Sequence, residues 1–162
     1  MVKQILYVIL IVVSNNVFGQ EDSSDDQSVY FELGGSGGLA SINYEKQFSK
    51  RNYTDFSYSV GLSFAPIDKG NGTGIIAPIM IHAITGKSAH KLDLGLGQGI
   101  TITTKGNYFF LTTACIGYKF QREKKNWFYR LDYTPLISYL VDFQIQHWAG
   151  MTIGYAFNKS TR

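Results

Sequence analysis

The sequence has few of the residues that stabilise several common classes of protein. Its 162 residues include one cysteine, Cys115, and three prolines, and only 17% of them are charged. A single cysteine excludes an internal disulfide framework. The low charge and the 15% of aromatic residues exclude intrinsic disorder, which requires high charge and few aromatics. We therefore expect a folded chain, and its length leaves room for one domain.

Helical periodicity is also missing, and a period of two takes its place. Beyond residue 28 no window repeats its apolar residues at helical spacing. Apolar residues instead alternate with small or polar ones in residues 56–64, 92–96, 114–120, 129–133 and 149–157. Such alternation predicts β-strands. The predicted strands are long enough to cross a bilayer at a tilt of about 45°.

Polar and glycine-rich breakers predict the connections between strands. Tight turns are predicted at 49–52, 86–89 and 121–126, and other connections at 66–73, 101–107 and 136–142. This pattern gives seven strands from about Ala40 onward. Residues 28–48 form either a hairpin that turns at residues 35–38 or one long bulged strand. Closed bacterial barrels have even strand numbers, which favours the hairpin and an all-β, eight-stranded antiparallel up-and-down barrel.

The N-terminal segment has the features of a secretory signal peptide. Lys3 precedes an apolar run over residues 5–13, and the segment that follows ends on the small residue Gly19. The run is too short to span a bilayer as a helix. We therefore expect residues 1–19 to be a cleaved signal peptide. The rest divides into an acidic disordered leader (20–27), the barrel (28–157) and a short C-terminal tail (158–162).

The less apolar face of the strands decides which face points outward. It carries small, nearly uncharged residues such as Ser57, Ser59 and Gly95. A soluble barrel would show water a surface with about 25–35% charged residues, whereas small residues suit the interior of a narrow barrel. Aromatic residues near the strand ends fit the girdles of a membrane barrel. These are Tyr53, Tyr108, Phe109, Trp127, Tyr129 and Trp148. The sequence therefore predicts a transmembrane β-barrel whose apolar face contacts outer-membrane lipid.

Three stretches also resemble small, largely uncharacterised outer-membrane β-barrel proteins similar in plan to OmpX and the OmpA transmembrane domain. They are residues 30–35, 86–95 and 148–157. The resemblance implies location in the outer membrane of a Gram-negative bacterium. It also implies that Ile153, Tyr155 and Phe157 form a C-terminal signal for the barrel-insertion machinery. Two departures are that five residues follow Phe157 and that Thr152 stands where the signal usually has glycine.

Several charged and polar residues are expected to point inward, where burial requires partners. We predict that they form a structural polar network inside the barrel, with Asp93 and Arg130 as the pair to test first. The predicted network residues are Glu32, Glu45, His82, Asp93, Lys119, Arg130 and Asp132.

No catalytic, cofactor-binding or metal-binding residue is predicted. The three histidines share no ligand spacing. The G-x-G-x-x-A pattern at residues 35–40 lacks the following helix that nucleotide binding requires.

These features predict a non-enzymatic outer-membrane protein that supports envelope integrity or makes surface contacts. One alternative is a soluble secreted barrel that binds a small apolar ligand. Another is a lipid-modifying enzyme, which would need Ser, His and carboxylate side chains to converge near one rim. Nucleic acid is excluded as a partner because no basic stripe interleaves with aromatics. We expect a monomer.

Overall fold

A computed structural model describes residues 26–51, 53–122, 125–138 and 143–157. The predicted signal peptide, most of the leader and the tail lie outside the described residues. No helix within the described part of the chain is long and apolar enough to span a bilayer. The strands, in chain order, are β1 (Gln27–Leu33), β2 (Ala40–Arg51), β3 (Thr54–Asp68), β4 (Gly72–Thr85), β5 (His90–Thr103), β6 (Tyr108–Phe120), β7 (Trp127–Tyr133), β8 (Leu136–Ser138), β9 (Gln144–Gln146) and β10 (Ala149–Phe157).

The strands close into a barrel in which every pairing is antiparallel. Consecutive strands pair from β1 to β7, β10 pairs with both β7 and β1, and the short β8 and β9 extend the wall beside β6. Strand β8 continues β7 after a break at Thr134 and Pro135, and β10 continues β9 after His147 and Trp148. Proline cannot donate to a strand ladder, which fits the first break. With these two interruptions the barrel has eight strand positions, and the predicted eight-stranded up-and-down fold is confirmed.

Residues 28–48 form the hairpin and not the long bulged strand. β1 and β2 pair in continuous register from Gln27–Lys46 to Leu33–Ala40. Their connection is a 3-10 turn, Gly35–Gly37, flanked by Gly34 and Gly38. Gly34, Gly35 and Gly38 have φ angles of 71°, 80° and 85°, which glycine adopts without the steric cost of a side chain. The turn is buried, so it folds into the barrel and does not project from it.

The antiparallel order collects the connections at two ends. The lower end carries Gln27, Phe157 and the β2–β3, β4–β5 and β6–β7 connections. The upper end carries the β1–β2, β3–β4, β5–β6 and β8–β9 connections. Strand β3 extends to Asp68 and β5 to Thr103. Both strands are longer than predicted, so their upper connections are correspondingly shorter.

The narrow interior is filled by pairing glycine with large side chains on the neighbouring strand. Gly117 lies opposite Asp132, and Gly154 lies opposite Phe128. A Cβ atom on Gly117 would lie 1.7 Å from Asp132 Oδ1, and one on Gly154 would lie 2.2 Å from Phe128 Cζ. These glycines therefore provide the space that the opposing side chains occupy.

The outer surface is a band of apolar side chains. Residues at alternate strand positions are exposed, and the most exposed include Phe64 (68%), Leu96 (67%) and Leu62 (66%). Ionisable residues at the intervening positions are buried, such as Glu45 and Arg130. The barrel is therefore apolar outside and polar inside, which is the reverse of a soluble protein.

Candidate functional site: the interior network and two end cavities

The structure buries all seven residues that the sequence suggested for an interior polar network. None is more than 6% exposed. Five of them form one connected network across the barrel, while the other two make local contacts at separate points. The connected five are Glu45, His82, Asp93, Lys119 and Arg130.

Glu45 on β2 forms ion pairs with two basic side chains from the opposite wall of the barrel. Its Oε2 lies 2.8 Å from Arg130 Nη2 on β7, and its Oε1 lies 3.3 Å from Lys119 Nζ on β6. Ser57 Oγ donates a further hydrogen bond to Oε1 at 3.2 Å. Because β1 and β10 separate β2 from β7 in the wall, the Glu45–Arg130 contact crosses the interior. Both carboxylate oxygens are therefore paired despite their burial.

Asp93 on β5 extends the network to His82 on β4. Its Oδ2 lies 3.0 Å from Arg130 Nε, an ion pair without the alignment of a hydrogen bond. Its Oδ1 lies 3.0 Å from His82 Nδ1. The pair selected from the sequence, Asp93 and Arg130, is thus in direct contact.

Aromatic rings cover the cationic side of the network. Arg130 Cζ lies 5.2 Å from the ring centroid of Tyr30 and 5.7 Å from that of Phe128. Lys119 Nζ lies 4.2 Å from the Phe128 centroid. Such cation–π contacts add to the carboxylate pairing and restrict both basic side chains.

Glu32 holds the buried β1–β2 turn in place. Its Oε2 accepts hydrogen bonds from Ser36 Oγ at 3.0 Å and from Ser41 Oγ at 3.1 Å. Ser63 Oγ, on the neighbouring strand β3, donates a hydrogen bond of 2.6 Å to the Gly37 carbonyl. Glu32 therefore has a structural role in fixing the turn inside the barrel.

Asp132 contacts Cys115 and lies beside the central network. The Cys115 Sγ atom lies 3.6 Å from Asp132 Oδ1, and both residues are buried. Gly117 leaves the space beside this carboxylate.

Three potential metal ligands also come together, although sequence spacing gave no sign of them. Ligand atoms of His82, Asp93 and Cys115 lie within 4.8 Å of one another. They come from the neighbouring strands β4, β5 and β6, so their proximity depends on strand register. The same Asp93 carboxylate already pairs with Arg130 and His82, and the nearby guanidinium disfavours a cation.

Ser59, His82 and Asp93 form a hydrogen-bonded chain with the connectivity of a catalytic triad. Ser59 Oγ lies 3.1 Å from His82 Nε2, and His82 Nδ1 lies 3.0 Å from Asp93 Oδ1. Serine hydrolases use this order of groups, but they present the serine to substrate. Here Ser59 and His82 are each 2% exposed, and neither lines a described cavity. The three side chains meet in the interior and not at a rim.

A cavity of about 510 Å³ opens at the lower end and is lined by charged residues. Its basic residues include Lys50, Lys87 and Lys91, and its acidic residues include Glu45 and Asp55. Lys91 Nζ pairs with Asp55 Oδ2 at 3.0 Å. This cavity ends at the central network, because Glu45 and Lys119 both line it.

A second cavity, of about 490 Å³, lies at the upper end and has a different chemistry. No described residue that lines it carries a formal charge. The inward residues Ala65, Ile76 and Leu136 are buried apolar side chains in its wall. We name it the upper cavity.

Three residues predicted for an aromatic girdle contribute to the upper cavity. Tyr108 is exposed and lines its edge, while Phe109 and Trp148 are half-buried in its lining. Tyr53, Trp127 and Tyr129 are exposed on the exterior as expected. The girdle assignment of Phe109 and Trp148 is therefore corrected. The reason is that both residues have the inward parity of their strands. Phe109 shares its face of β6 with the buried Thr113, and Trp148 shares its parity with the buried Gly150 and Thr152 of β10.

The residues predicted as an insertion signal lie on the outward side of β10. Ile153 and Tyr155 are exposed, and Phe157 is half-buried at the lower end. Tyr155 packs edge-to-face against Trp127 with ring centroids 5.4 Å apart. These aromatic residues form part of the lower rim.

Comparison with known proteins gives a structural match only. Neither a protein-family model nor a curated protein matches the sequence. The fold is similar to the N-terminal β-barrel domain of Pseudomonas aeruginosa OprF, with a TM-score of 0.56 and 11% sequence identity. The match covers 82% of this chain and 96% of that chain. It supports the predicted resemblance to outer-membrane barrels at the level of fold, while the likeness to OmpX in particular stays a prediction.

Proposed function

We propose that this chain is a non-enzymatic integral protein of the bacterial outer membrane that supports envelope integrity or makes surface contacts. The observation that carries the proposal is the polarity of the barrel. Leu62, Phe64 and Leu96 point outward, while the charged network is enclosed. Only an apolar surrounding makes such an exterior favourable, because water penalises a continuous apolar surface.

The soluble alternative, a secreted barrel that binds a small apolar ligand, requires the opposite arrangement. A soluble protein rarely exposes an apolar patch of more than a few hundred square ångströms. It also rarely buries Asp, Glu, Lys and Arg together, as this interior does with Asp93, Glu45, Lys119 and Arg130. Both features favour the membrane assignment.

The filled interior supports a structural role and not one as an open pore. An eight-stranded barrel is just wide enough for its side chains to fill it. Here the Glu45–Arg130 contact crosses the interior, and the Gly35–Gly37 turn occupies the space above it. Nutrient conduction would need both obstacles to move.

The order of three side chains favours the enzymatic alternative, but their burial opposes it more strongly. Ser59, His82 and Asp93 have the order of a catalytic triad. Their burial leaves no approach for a lipid acyl group, and Asp93 is shared with Arg130. This arrangement supports a structural reading of the three residues.

The partners follow from the same proposal. Outer-membrane lipid would contact the apolar exterior, and the insertion machinery would recognise the outward residues Ile153, Tyr155 and Phe157. Residues 1–19 would direct export and be removed. The protein would act as a monomer, since an eight-stranded wall closes without a second chain.

Electrophoresis of the membrane-extracted protein tests the assignment. The protein, expressed with its full sequence, is isolated from outer- and inner-membrane fractions and run on SDS gels with and without boiling. We expect recovery in the outer-membrane fraction, a requirement for detergent, and a change of mobility on boiling. A protein that stays in the aqueous fraction with one mobility would instead support the soluble, ligand-binding alternative.

A further inference from the structure

We propose that the upper cavity binds an uncharged apolar molecule that carries one hydroxyl or carbonyl group. Its volume of about 490 Å³ lies within the range of small-molecule sites, which are about 300–1,000 Å³. Such sites are mostly apolar and contain a few polar groups that orient the ligand. The upper cavity has both features, and it goes beyond the structural role proposed above.

The upper cavity differs from the middle of the barrel. There, side chains occupy the lumen and pair with one another, as Glu45 and Arg130 do. In the upper part, the walls become apolar at Ala65, Ile76 and Leu136, yet they leave an open volume between them. Gly38 contributes to the same lining. An apolar lining around open space favours an apolar occupant.

Thr101 supplies an unpaired polar group inside this apolar lining. It is 2% exposed, and its Oγ1 atom is buried without a hydrogen-bond partner. Buried hydroxyl groups in native proteins normally have a partner, because an unmet hydrogen bond is costly. The Oγ1 atom has almost no accessible surface, so a rotation of the Thr101 side chain about χ1 is needed to turn it toward the cavity. A hydroxyl or carbonyl oxygen on a bound molecule would then provide the partner.

The charges at the two ends exclude other classes of ligand. The lower cavity contains Lys50, Lys87 and Glu45, whereas no described residue of the upper lining is charged. An anionic or cationic group in the upper cavity would find no counter-ion among the described residues of the lining and would lie against apolar walls, which is unfavourable. The amides of Gln144 and Gln146 offer neutral hydrogen-bonding groups in the same lining. The ligand is therefore neutral.

The cavity is a terminal site and not the start of a conduit. Below it lie the buried Gly35–Gly37 turn and the central network. A molecule bound at the upper end would contact the wall and the turn without passing to the lower end.

The two tryptophans permit a direct test, because Trp148 lines the cavity while Trp127 lies on the exterior near the lower end. The probe is 11-bromo-1-undecanol, whose bromine quenches tryptophan fluorescence on contact. The full-length protein is placed in phosphatidylcholine vesicles, since detergent chains would compete for the site. Trp127→Phe leaves Trp148 as the reporter, and Trp148→Phe leaves Trp127 as the matched control. We expect saturable quenching of Trp148 and only linear quenching of Trp127.

Two substitutions in the Trp127→Phe background examine the lining. Ala65→Leu adds volume to the wall, and we expect it to weaken binding at least tenfold. Thr101→Val removes the unpaired hydroxyl, and we expect weakening of roughly two- to tenfold, the value of one hydrogen bond. Thr152→Val is the matched control, because Thr152 Oγ1 is also buried and unpaired but lies outside the lining. Its affinity should equal that of the parent.

Charge is examined with 11-bromoundecanoate at alkaline pH, where the probe is ionised and should bind at least tenfold more weakly. Equal affinity for both probes would overturn the assignment of a neutral ligand. Linear quenching of Trp148, or saturation unaffected by both lining variants, would overturn the site itself. A gel-mobility change on boiling verifies insertion of each variant. If Ala65→Leu fails to insert, the affinities of Thr101→Val and Thr152→Val are compared instead. Gel mobility reports on membrane insertion and quenching reports on the site, so failure of one is distinguishable from failure of the other.

Discussion

Glu45 and Arg130 meet across the interior of the barrel, with 2.8 Å between Glu45 Oε2 and Arg130 Nη2. They are 85 residues apart in the sequence and come from strands that are not neighbours in the wall. The contact joins two sides of the barrel directly, beyond the hydrogen-bond ladders that join neighbouring strands. Loss of either side chain would therefore remove a connection that strand pairing does not replace.

Arg130→Met should strongly destabilise the protein. Among the described residues, the change leaves Asp93 in contact with His82 alone and deprives Glu45 of its closest cation. Removal of one partner from a buried ion pair costs about 3–5 kcal/mol of the free energy of unfolding. Denaturant unfolding of vesicle-inserted protein, followed by gel mobility, measures it. Lys91→Met is the control, because its pair with Asp55 is partly exposed and is worth about 0–1 kcal/mol. Equal losses in both variants would contradict a dominant interior network.

Leu94→Arg should destabilise the inserted barrel according to its depth in the bilayer. Leu94 is exposed on the outer surface of β5, well inside the strand. Arginine on the lipid face costs about 2–4 kcal/mol near the midplane and about 0–1 kcal/mol near an interface. Ile102→Arg, one residue from the upper end of the same strand, is the matched control. A loss that is as large at Ile102 as at Leu94 would argue against the assigned depth.

Gly154→Ala should overpack the interior. The new methyl group would lie 2.2 Å from Phe128 Cζ, and Phe128 is completely buried. Overpacking of this kind costs about 1–3 kcal/mol. Adding Phe128→Leu should restore part of the stability, because it frees the space that the methyl group needs.

The control for Gly154→Ala is Gly99→Ala, whose Cβ atom would have no neighbour closer than 3.7 Å. Its free energy of unfolding should stay within about 1 kcal/mol of the parent, the usual cost of glycine in a strand. Additive effects of Gly154→Ala and Phe128→Leu would show that the two positions do not share the same space.

Ser59 should not react with a fluorophosphonate probe in the folded protein. Its hydrogen bond to His82 has the geometry of an activated serine, but burial prevents access. Mass spectrometry of the treated protein measures the labelling, with Ser59→Ala as the control. Labelling of the folded parent that disappears in Ser59→Ala would instead revive the enzymatic alternative.

The fold could be predicted because its determinants are local in the sequence. Alternation fixes which residues face lipid, and the glycines at positions 34, 35 and 38 mark a turn that other residues would form less readily. Burial of Asp93 and Arg130 also follows from alternation. Their contact does not, because it depends on the register of several strands and on how far each side chain reaches.

The upper cavity could not be predicted for the same physical reason. Burial still alternates through the strand breaks, with Thr134 and Leu136 buried on one side and Gly150 on the other. Alternation therefore predicts which side chains point inward, but not whether they fill the space between the walls. Likewise, Ser59, His82 and Asp93 come from three strands, and no spacing in the sequence relates them.

The buried position of the β1–β2 turn has a consequence for engineering the molecule. Ser36 lies inside the wall, so an epitope tag at that connection would have to displace Glu32 and would not be displayed to antibodies. The β5–β6 connection offers the opposite situation, since a Cβ atom on Gly106 would have no neighbour within 4 Å. Peptide display on this scaffold therefore belongs at Gly106, the position of this connection that faces open space.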